Sequence, residues 1–418
     1  MKNMPKNIDN TENKMRSDTN YLFLGGLFPK EIEKEIFSNS TGAVQNAANA
    51  FQWNIINGFD QNLTKPIKII NSLYIGSYPR RYRKLIIPTF KFEHIENAED
   101  LNVGFCNFMG YKNISRKISL FKAAKEWINN TPGKKCVFAY AMTNVMVSVL
   151  HSIKRIDPSI KTCLIVPDLP EYMNTSSKKN MLYGMLKKID IKNQNTKLHN
   201  IDMFVYLTKQ MDERIKAKKY VVIEGISNDI FKTLSFDKKM NKTILYTGGL
   251  NEKYGVKNLV DAFMSIKDKD YKLIICGSGD LEQYIKEAQN KDSRIDFRGV
   301  LLHDEVLSLQ MQATVLVNPR QNNEEFTKYS FPSKNLEYLA SGTPVISYKL
   351  DGIPDEYDEY LIYVLDNSIE SLRKKIEEVC SLTEEERKNI GTKCRDFVLK
   401  EKNSNKQIKK ILDMIESN

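Results

Sequence analysis

The chain has 418 residues, of which 41% are hydrophobic, and it carries a formal net charge of +11. This length favours two domains of ordinary size, and the hydrophobic fraction is enough for a core in each. No apolar run approaches the roughly 20 residues that a bilayer-spanning helix needs. The first 17 residues are polar and lack the apolar stretch of a signal peptide, so we expect a flexible tail and a cytoplasmic protein.

The charge is unevenly spread along the chain. Residues 1–235 hold 35 Lys and Arg against 21 Asp and Glu, a balance of +14, while the remainder holds 28 against 31, a balance of −3. A basic half indicates contact with an anionic surface, such as anionic lipid, a lipid-linked diphosphate or nucleic acid. No nucleic-acid-binding motif accompanies the charge, so we predict no nucleic-acid partner. A lysine-rich proteome would give the same asymmetry without any partner.

The cysteines and histidines form no cluster in the sequence. The six cysteines are widely scattered with no metal-ligand or redox spacing, which predicts buried free thiols in a reducing compartment. The four histidines are equally dispersed. We therefore predict neither a metal site nor a cofactor.

Apolar runs of strand length alternate with amphipathic stretches along the whole chain, a pattern typical of parallel α/β architecture. In the first half the predicted strands are Tyr21–Leu24, Ile67–Ile70, Leu85–Pro88, Cys136–Tyr140, Cys163–Val166, Met203–Leu207 and Tyr220–Ile223, with helices at Ala43–Asn57 and Ser119–Asn129. In the second half they are Thr243–Tyr246, Tyr271–Cys276, Ile295–Phe297, Thr314–Val317, Pro344–Ser347 and Leu361–Val364, with a helix at Asn258–Ile266 and charged helices within Thr383–Glu416. Each half is predicted to form its own doubly wound sheet.

The most informative stretch runs from Phe331 to Ile346 and predicts a loop, a short helix and a buried strand. Ser333 is the expected N-cap of that helix, with Pro332 fixing the entry of the chain. A helix start offers free N–H groups and the positive end of the dipole to an anionic phosphate. Lys334 adds a positive charge in the first turn, and Glu337 lies one turn in, where its carboxylate can accept two neighbouring hydroxyls of a ribose. A plain capped turn with a solvated Glu337 is the alternative.

This stretch resembles the donor-site motif of the GT-B glycosyltransferases of family 4, in which a Glu, seven residues and a second Glu precede a small-Gly-Thr-Pro-Val sequence. Glu337 matches the second Glu, which in the family holds the nucleotide ribose, whereas Tyr329 stands where the first Glu is expected. The segments 246–250, 253–256 and 276–280 resemble the loops that follow the first strands of the family's donor domain.

The resemblance implies two tandem Rossmann-like domains with a cleft between them. We predict a tail at residues 1–17, an acceptor-binding domain at 18–232, a nucleotide-sugar-binding domain at 233–400, and a last helix at 401–418 that packs back on the first domain. The predicted donor site comprises Gly248, Gly249, Lys253, Gly277, Arg320, Tyr329, Ser330, Phe331, Ser333, Lys334 and Glu337. Because Gly249 stands where the family usually has Arg, Arg320 and Lys334 are the predicted replacements, and their charges suit a departing diphosphate.

The acceptor side is predicted in the first half. Gly25 and Gly26 follow the first strand, Gly42 precedes the Ala43–Asn57 helix, and Asp168 follows a strand where family members often place a residue that touches the transferring sugar. A cap or turn role for Asp168 has about equal weight. Arg80 to Lys84 mixes cations with an aromatic residue and suits an anionic membrane or a lipid-linked diphosphate, although a solvated basic loop fits equally well.

The resemblance thus implies a retaining, metal-independent hexosyltransferase with Asp168, Arg320 and Lys334 as its catalytic residues. Its donor would be a nucleotide-diphosphate sugar, most simply a UDP-sugar, and its acceptor a glycan or lipid-linked glycan in capsule or exopolysaccharide synthesis. Peripheral contact with the inner face of the cell membrane would follow from the basic first domain. Tyr329 and Gly249 favour an alternative, a catalytically silent partner that activates another transferase. A nucleotide-sugar 2-epimerase of the same fold is a third hypothesis.

Overall fold

The computed structural model describes residues 18–42, 44–172, 181–227, 229–233 and 239–417. These residues form two compact units, one built from the described residues up to Ile223 together with those from Ser404 onward, the other from Glu224–Asn403. The predicted tail at 1–17 lies outside the described residues, as do Ala43 and residues 228 and 234–238 on either side of the predicted domain boundary.

The first unit is built on a mostly parallel sheet with the order β10-β9-β8-β7-β1-β2-β5-β4, and β3 and β6 form a separate antiparallel ladder. Its strands are β1 (Thr19–Gly25), β2 (Lys68–Asn71), β3 (Ile86–Ile87), β4 (Phe90–Phe92), β5 (Asp100–Asn102), β6 (Phe105–Cys106), β7 (Lys134–Tyr140), β8 (Lys161–Val166), β9 (Met203–Tyr206) and β10 (Tyr220–Val222). Its helices include α1 (Glu33–Asn39), α2 (Asn46–Asn62), α3 (Lys112–Asn130), α4 (Asn144–Ile156), α5 (Met181–Leu198) and α6 (Asp212–Ile215).

Three predictions for this unit are wrong in detail. The Leu85–Pro88 segment supplies β3, which pairs antiparallel with β6 instead of joining the main sheet. The helix predicted to begin at Ser119 begins at Lys112, because apolar residues on its outer side obscure its period. The helix predicted from Ala43 is α2, which begins at Asn46, so Gly42 does not start it.

The second unit is a parallel sheet with the order β13-β12-β11-β14-β15-β16. Its strands are β11 (Thr243–Thr247), β12 (Lys272–Cys276), β13 (Ile295–Gly299), β14 (Val315–Asn318), β15 (Val345–Ser347) and β16 (Ile362–Tyr363). Its helices are α7 (Val256–Met264), α8 (Glu282–Lys291), α9 (His303–Gln312), α10 (Ser333–Ala340), α11 (Ile369–Ser381) and α12 (Glu384–Glu401). Strands such as β11 and β15 are buried along their whole length, as expected when helices cover both faces of a parallel sheet.

The last helix, α13 (Ser404–Glu416), belongs to the first unit and packs on α2. The two helices approach closely because Gly58 has no side chain: a Cβ there would lie 2.5 Å from the Ser404 carbonyl oxygen. The Asn62 side-chain amide also donates to the Asn405 carbonyl, at 2.9 Å. The chain thus returns to its first unit after completing the second.

The predicted α/β architecture of two Rossmann-like halves is confirmed. The six cysteines are free thiols, and all but the half-buried Cys106 are buried. Across the described ranges, no helix is both long enough and apolar enough to span a membrane.

Candidate active site in the second unit

The strand order of the second unit fixes where a ligand can bind. The chain winds outward from β11 through β12 to β13, then returns to the other side of β11 and continues through β14 to β16. In open parallel sheets, ligands bind at the carboxyl ends of the strands, at the point where the order reverses. Here that point lies between Thr247, which ends β11, and Asn318, which ends β14.

Glu337 on α10 is the acidic group at this edge. Its Oε1 accepts hydrogen bonds from Gln310 Nε2 at 2.5 Å and from Lys334 Nζ at 2.9 Å. Gln310 lies on α9 and also donates to Thr247 Oγ1 at 3.1 Å, so the carboxylate is tied to the end of β11. Both contacts within the described chain fall on Oε1, which leaves Oε2 available to a ligand.

The electrostatics keep Glu337 ionised. Burial of the carboxyl alone would raise its pKa, but the Lys334 ammonium and the hydrogen bonds from Gln310 and Lys334 outweigh that effect. The pKa of Glu337 is therefore lower than its ordinary value. An ionised carboxylate accepts hydrogen bonds only, which suits the two hydroxyls of a ribose.

Buried polar contacts hold α10 against the sheet. The Tyr338 hydroxyl accepts from the Thr247 N–H at 2.8 Å and lies 3.0 Å from the Thr247 carbonyl, to which it donates. Asn318 Nδ2 donates to Asn335 Oδ1 at 2.6 Å, and Asn335 in turn donates to Ser347 Oγ at 3.3 Å. Since these contacts join α10 to β11, β14 and β15, they fix the position of Glu337 at the reversal point.

The start of α10 differs from the prediction. Ser333 is the first helical residue, not the N-cap, because Pro332 occupies the cap position with φ −74° and ψ 89° and can offer no side-chain hydrogen bond. The first N–H groups of a helix have no acceptor within it. Without a side-chain cap, the amides of Ser333 and Lys334 remain suited to an external anion.

Arg320 and Lys253 meet at an aromatic ring that the sequence analysis missed. The Arg320 guanidinium lies 4.4 Å from the centroid of Phe326, and Lys253 Nζ lies 5.4 Å from the same centroid. Arg320 is buried, and its Nη2 donates to Ser330 Oγ at 2.5 Å. Of the predicted donor-site residues, the structure therefore brings Arg320, Ser330 and Lys253 into one cluster around Phe326.

The glycines predicted in the donor site have different structural roles. Gly277 has φ +140°, and a Cβ there would lie 1.8 Å from the Gly248 carbonyl oxygen, so Gly277 lets the loops after β11 and β12 touch. The Gly248 N–H already donates to the Cys276 carbonyl at 3.0 Å. The Gly249 N–H has no acceptor within the described residues, which makes Gly249 the better candidate for approach to a phosphate.

Tyr329 and Phe331 are core side chains. Each is about 5% exposed or less, and Phe331 packs on Tyr357 with ring centroids 5.2 Å apart. Only their backbone groups are suited to contact a ligand. Tyr329 therefore supplies no replacement for the first Glu of the family motif.

The predicted acceptor-side residues lie in the first unit. The Gly26 N–H donates to Gln52 Oε1 at 2.8 Å, and a Cβ on Gly26 would enter the Tyr74 ring, so packing alone explains this glycine. Gly25 ends β1 beside Phe23. Gly42 has φ +91° with open space around it, so its backbone conformation favours glycine and close packing does not require one. Asp168 is exposed just after β8.

No local pattern marks Gln310 and Phe326, the two residues that sequence analysis missed. Gln310 is one of several polar residues in α9, and Phe326 lies in a short 3-10 turn at Glu325–Tyr329. Their contacts arise only when the strands assemble. Among the described residues, no three His, Cys, Asp or Glu side chains are grouped as a metal site.

The family model for glycosyl transferases group 1 matches residues 227–397, within the second unit. No curated protein matches the sequence.

Solved structures with the same fold cover nearly the whole chain. Sucrose-phosphate synthase from Thermosynechococcus elongatus superposes with a TM-score of 0.63 at 14% identity, covering 95% of this chain and 98% of that one. HepE from Anabaena, solved with UDP, gives 0.61 at 11% identity, with 96% and 100% covered. The pneumococcal O-GlcNAc transferase GtfA, solved with UDP and GlcNAc, gives 0.58 at 12% identity, with 95% and 99% covered. At these identities the likeness establishes the fold.

Proposed function

We propose that this protein is a glycosyltransferase that moves a hexose from a UDP-sugar to a glycan or lipid-linked glycan acceptor. One observation carries the proposal: the ionised Glu337 is fixed at the strand-order reversal, one turn from an uncapped helix start. A carboxylate for ribose hydroxyls and free amides for a diphosphate are the two groups that a nucleotide sugar requires. The group 1 match covers these residues, and two proteins of the same fold were solved with UDP.

Catalysis in this proposal rests on stabilising the leaving diphosphate. The amides of Ser333 and Lys334 would face the negative charge that develops as the sugar leaves. Lys334 and Arg320 would add positive charge nearby, with Arg320 oriented by Ser330 and Phe326. The residues that the structure describes include no group of three metal-ligating side chains, and we propose a metal-independent transfer. We also propose that the transfer retains the anomeric configuration and that Asp168 acts on the acceptor side.

The biological setting we propose is the synthesis of a cell-surface polysaccharide by a cytoplasmic enzyme. The positive charge of the first half supports an acceptor carried on an anionic lipid or diphosphate.

Release of UDP from UDP-sugars tests the proposal. Purified protein is incubated with UDP-glucose, UDP-galactose or UDP-N-acetylglucosamine, with and without a lipid-linked glycan extract and with a chelator present. We expect UDP release from one donor, stimulated by the extract and abolished in Glu337→Ala. Release that is equal in Glu337→Ala would contradict the assigned site.

A silent partner protein is the second candidate, favoured by the buried Tyr329 at the position of the first motif Glu. Such a protein would bind UDP through Glu337 but release none from any donor. UDP binding without turnover, together with stimulation of a second transferase, would identify the partner. Free UDP accumulates in transfer or hydrolysis, so its release also separates both from a 2-epimerase of the same fold.

A further inference from the structure

Large apolar side chains are exposed in one region of the first unit. They lie in β3, in the turn after β6 and in the first turns of α3, and we call them the apolar face. They are between 39% and 62% exposed, and they are Leu85, Ile86, Phe108, Met109, Tyr111, Ile114 and Ile118. Single exposed apolar residues are common, but a group of this size marks an interaction surface.

Backbone contacts show that these residues are neighbours. Ile86 pairs with Cys106 in the β3–β6 ladder, and the Asn107 N–H donates to the Leu85 carbonyl at 2.7 Å. The next turn leads directly into α3, since the Tyr111 N–H donates to the Phe108 carbonyl at 3.1 Å. The apolar face is therefore continuous from the ladder to the helix.

The face rests on a packed base. Ile87 and Phe105 are the inward partners of the ladder, and they belong to a small buried cluster that includes Tyr82 and Leu73. In a strand, neighbouring side chains point to opposite sides, so Ile86 points outward because Ile87 points inward. Exposure of these residues is thus a property of the folded unit.

Helix α3 is apolar on both sides. Leu120, Ala124 and Ile128 are buried inside the unit, while Ile114 and Ile118 lie one turn apart on the exposed side. A surface helix of a globular protein normally presents polar residues to water. An exposed apolar stripe on such a helix indicates that a lipid bilayer or another protein covers it.

The two segments that carry the face are basic, although Lys84 is paired with Glu35 at 2.6 Å and residues 93–100, which lie between the segments, contain four acids. Residues 72–92 contain five Lys and Arg, residues 101–125 contain five more, and neither segment contains an Asp or Glu. Of these ten, Arg116 is buried, while Arg80, Arg83, Lys117 and Lys122 are exposed. Protein–protein interfaces are depleted in Lys, whereas apolar residues flanked by Lys and Arg are typical of surfaces that lie on anionic bilayers.

We propose that the apolar face binds an anionic lipid bilayer. Ile114, Ile118 and Phe108 enter the boundary between headgroups and acyl chains, and the surrounding Lys and Arg residues contact lipid phosphates. The sequence predicts peripheral membrane contact through the basic first domain, with Arg80 to Lys84 as candidate contacts. The structure adds the apolar residues of α3 and of the turn before it. The proposal does not depend on transferase activity, and a failure of one leaves the other intact.

Co-sedimentation with lipid vesicles tests the proposal. The vesicles are pure phosphatidylcholine or phosphatidylcholine with about 30% phosphatidylglycerol, a surface charge that attracts basic segments. The test variant is Ile114→Ser/Ile118→Ser. The matched control is Val300→Ser/Leu302→Ser, which changes two side chains of the second unit that are 74% and 76% exposed.

We expect the wild type to sediment with anionic vesicles and not with neutral ones. Its partition coefficient should fall at least about tenfold in Ile114→Ser/Ile118→Ser. Both isoleucine side chains lose the favourable free energy of transfer from water into the bilayer. The control should bind like the wild type. Lys117→Gln/Lys122→Gln should weaken binding and reduce its dependence on salt.

Three results would overturn the proposal. The first is wild-type protein that stays in the supernatant with anionic vesicles, and the second is equal vesicle binding by the wild type and Ile114→Ser/Ile118→Ser. The third is self-association of the wild type, without vesicle binding, that is abolished by the same two substitutions. The last result, measured by light scattering, would assign the face to a second copy of the chain. Thermal unfolding of each variant verifies that the substitutions leave the fold intact.

Discussion

Lys334 Nζ lies 2.9 Å from Glu337 Oε1, one turn apart on α10. The sequence assigned these residues to different parts of the donor, Lys334 to the diphosphate and Glu337 to the ribose. In the structure they form an ion pair that also lowers the pKa of Glu337. Lys334 therefore has a positioning role toward Glu337 in addition to any contact with phosphate.

Removal of Lys334 should affect binding much more than stability. The two side chains are 39% and 24% exposed, so solvent screening limits the pair to less than about 1 kcal/mol of folding free energy. We expect Lys334→Ala to weaken UDP binding by roughly tenfold, the loss of one charge-assisted contact. Calorimetric titration and urea unfolding measure the two effects.

The matched control is Lys257→Ala, which removes an exposed helical pair with Asp261 at 2.6 Å. It should leave UDP binding unchanged. A loss of UDP affinity in Lys257→Ala as large as in Lys334→Ala would show that the effect is not specific to the site.

Gln310 should set the pH range of binding. Its side chain is buried and donates to Glu337, so Gln310→Leu removes a hydrogen bond that favours the ionised carboxylate. The pKa of Glu337 then rises, and UDP affinity should fall at a higher pH than in the wild type as the solution is acidified. Titrations across the acidic range measure the midpoint. Gln312→Leu on the same helix, which loses only a contact to Ser308, should keep the wild-type midpoint.

The second unit was predicted more closely than the first. Strand β12 begins only one residue after its predicted start. The prediction is close because buried strands that alternate with glycine turns form a local sequence pattern. In the first unit, β4, β5 and β6 were missed, since runs of two or three residues carry no period. Glu337 was predicted from a local motif and Arg320 from its position just after a strand, whereas Gln310 reaches Glu337 across 27 residues of sequence. Contacts of that kind depend on the assembled sheet.

The stabilising contribution of His94 to the first unit should be lost at alkaline pH. Its ring is 2% exposed and lies between Asp100 at 2.5 Å and Asp60 at 3.2 Å. Burial alone would lower the pKa of His94, but the two carboxylates raise it to about 9. A group with a raised folded-state pKa stabilises fully below its unfolded value, near 6.5, and the contribution is lost as pH rises through about 9.

Urea unfolding from neutral to alkaline pH measures this contribution. The wild type should lose up to about 3 kcal/mol across that range, and His94→Gln should lose much less. His199→Gln, at an exposed position, is the control and should follow the wild type. Parallel curves for the wild type and His94→Gln would show that the cluster does not titrate with folding.

Removal of Lys402 should destabilise the second unit. It is fully buried in the second unit, 2.5 Å from Glu224, whose side chain is 2% exposed. Lys402→Met would leave the Glu224 carboxylate buried without its cation, although the Tyr357 hydroxyl still donates to it at 2.7 Å. We expect a cost of about 3 kcal/mol or more. Adding Glu224→Gln should restore part of the loss in urea unfolding. Additive losses in the double variant would contradict the pairing.

The most direct test of the account is a crystal structure with an intact UDP-sugar. We predict that the ribose hydroxyls contact Glu337 and that the diphosphate lies at the start of α10, near the Ser333 amide and Arg320. A nucleotide bound elsewhere in the chain, with Glu337 contacting only Gln310 and Lys334, would contradict it.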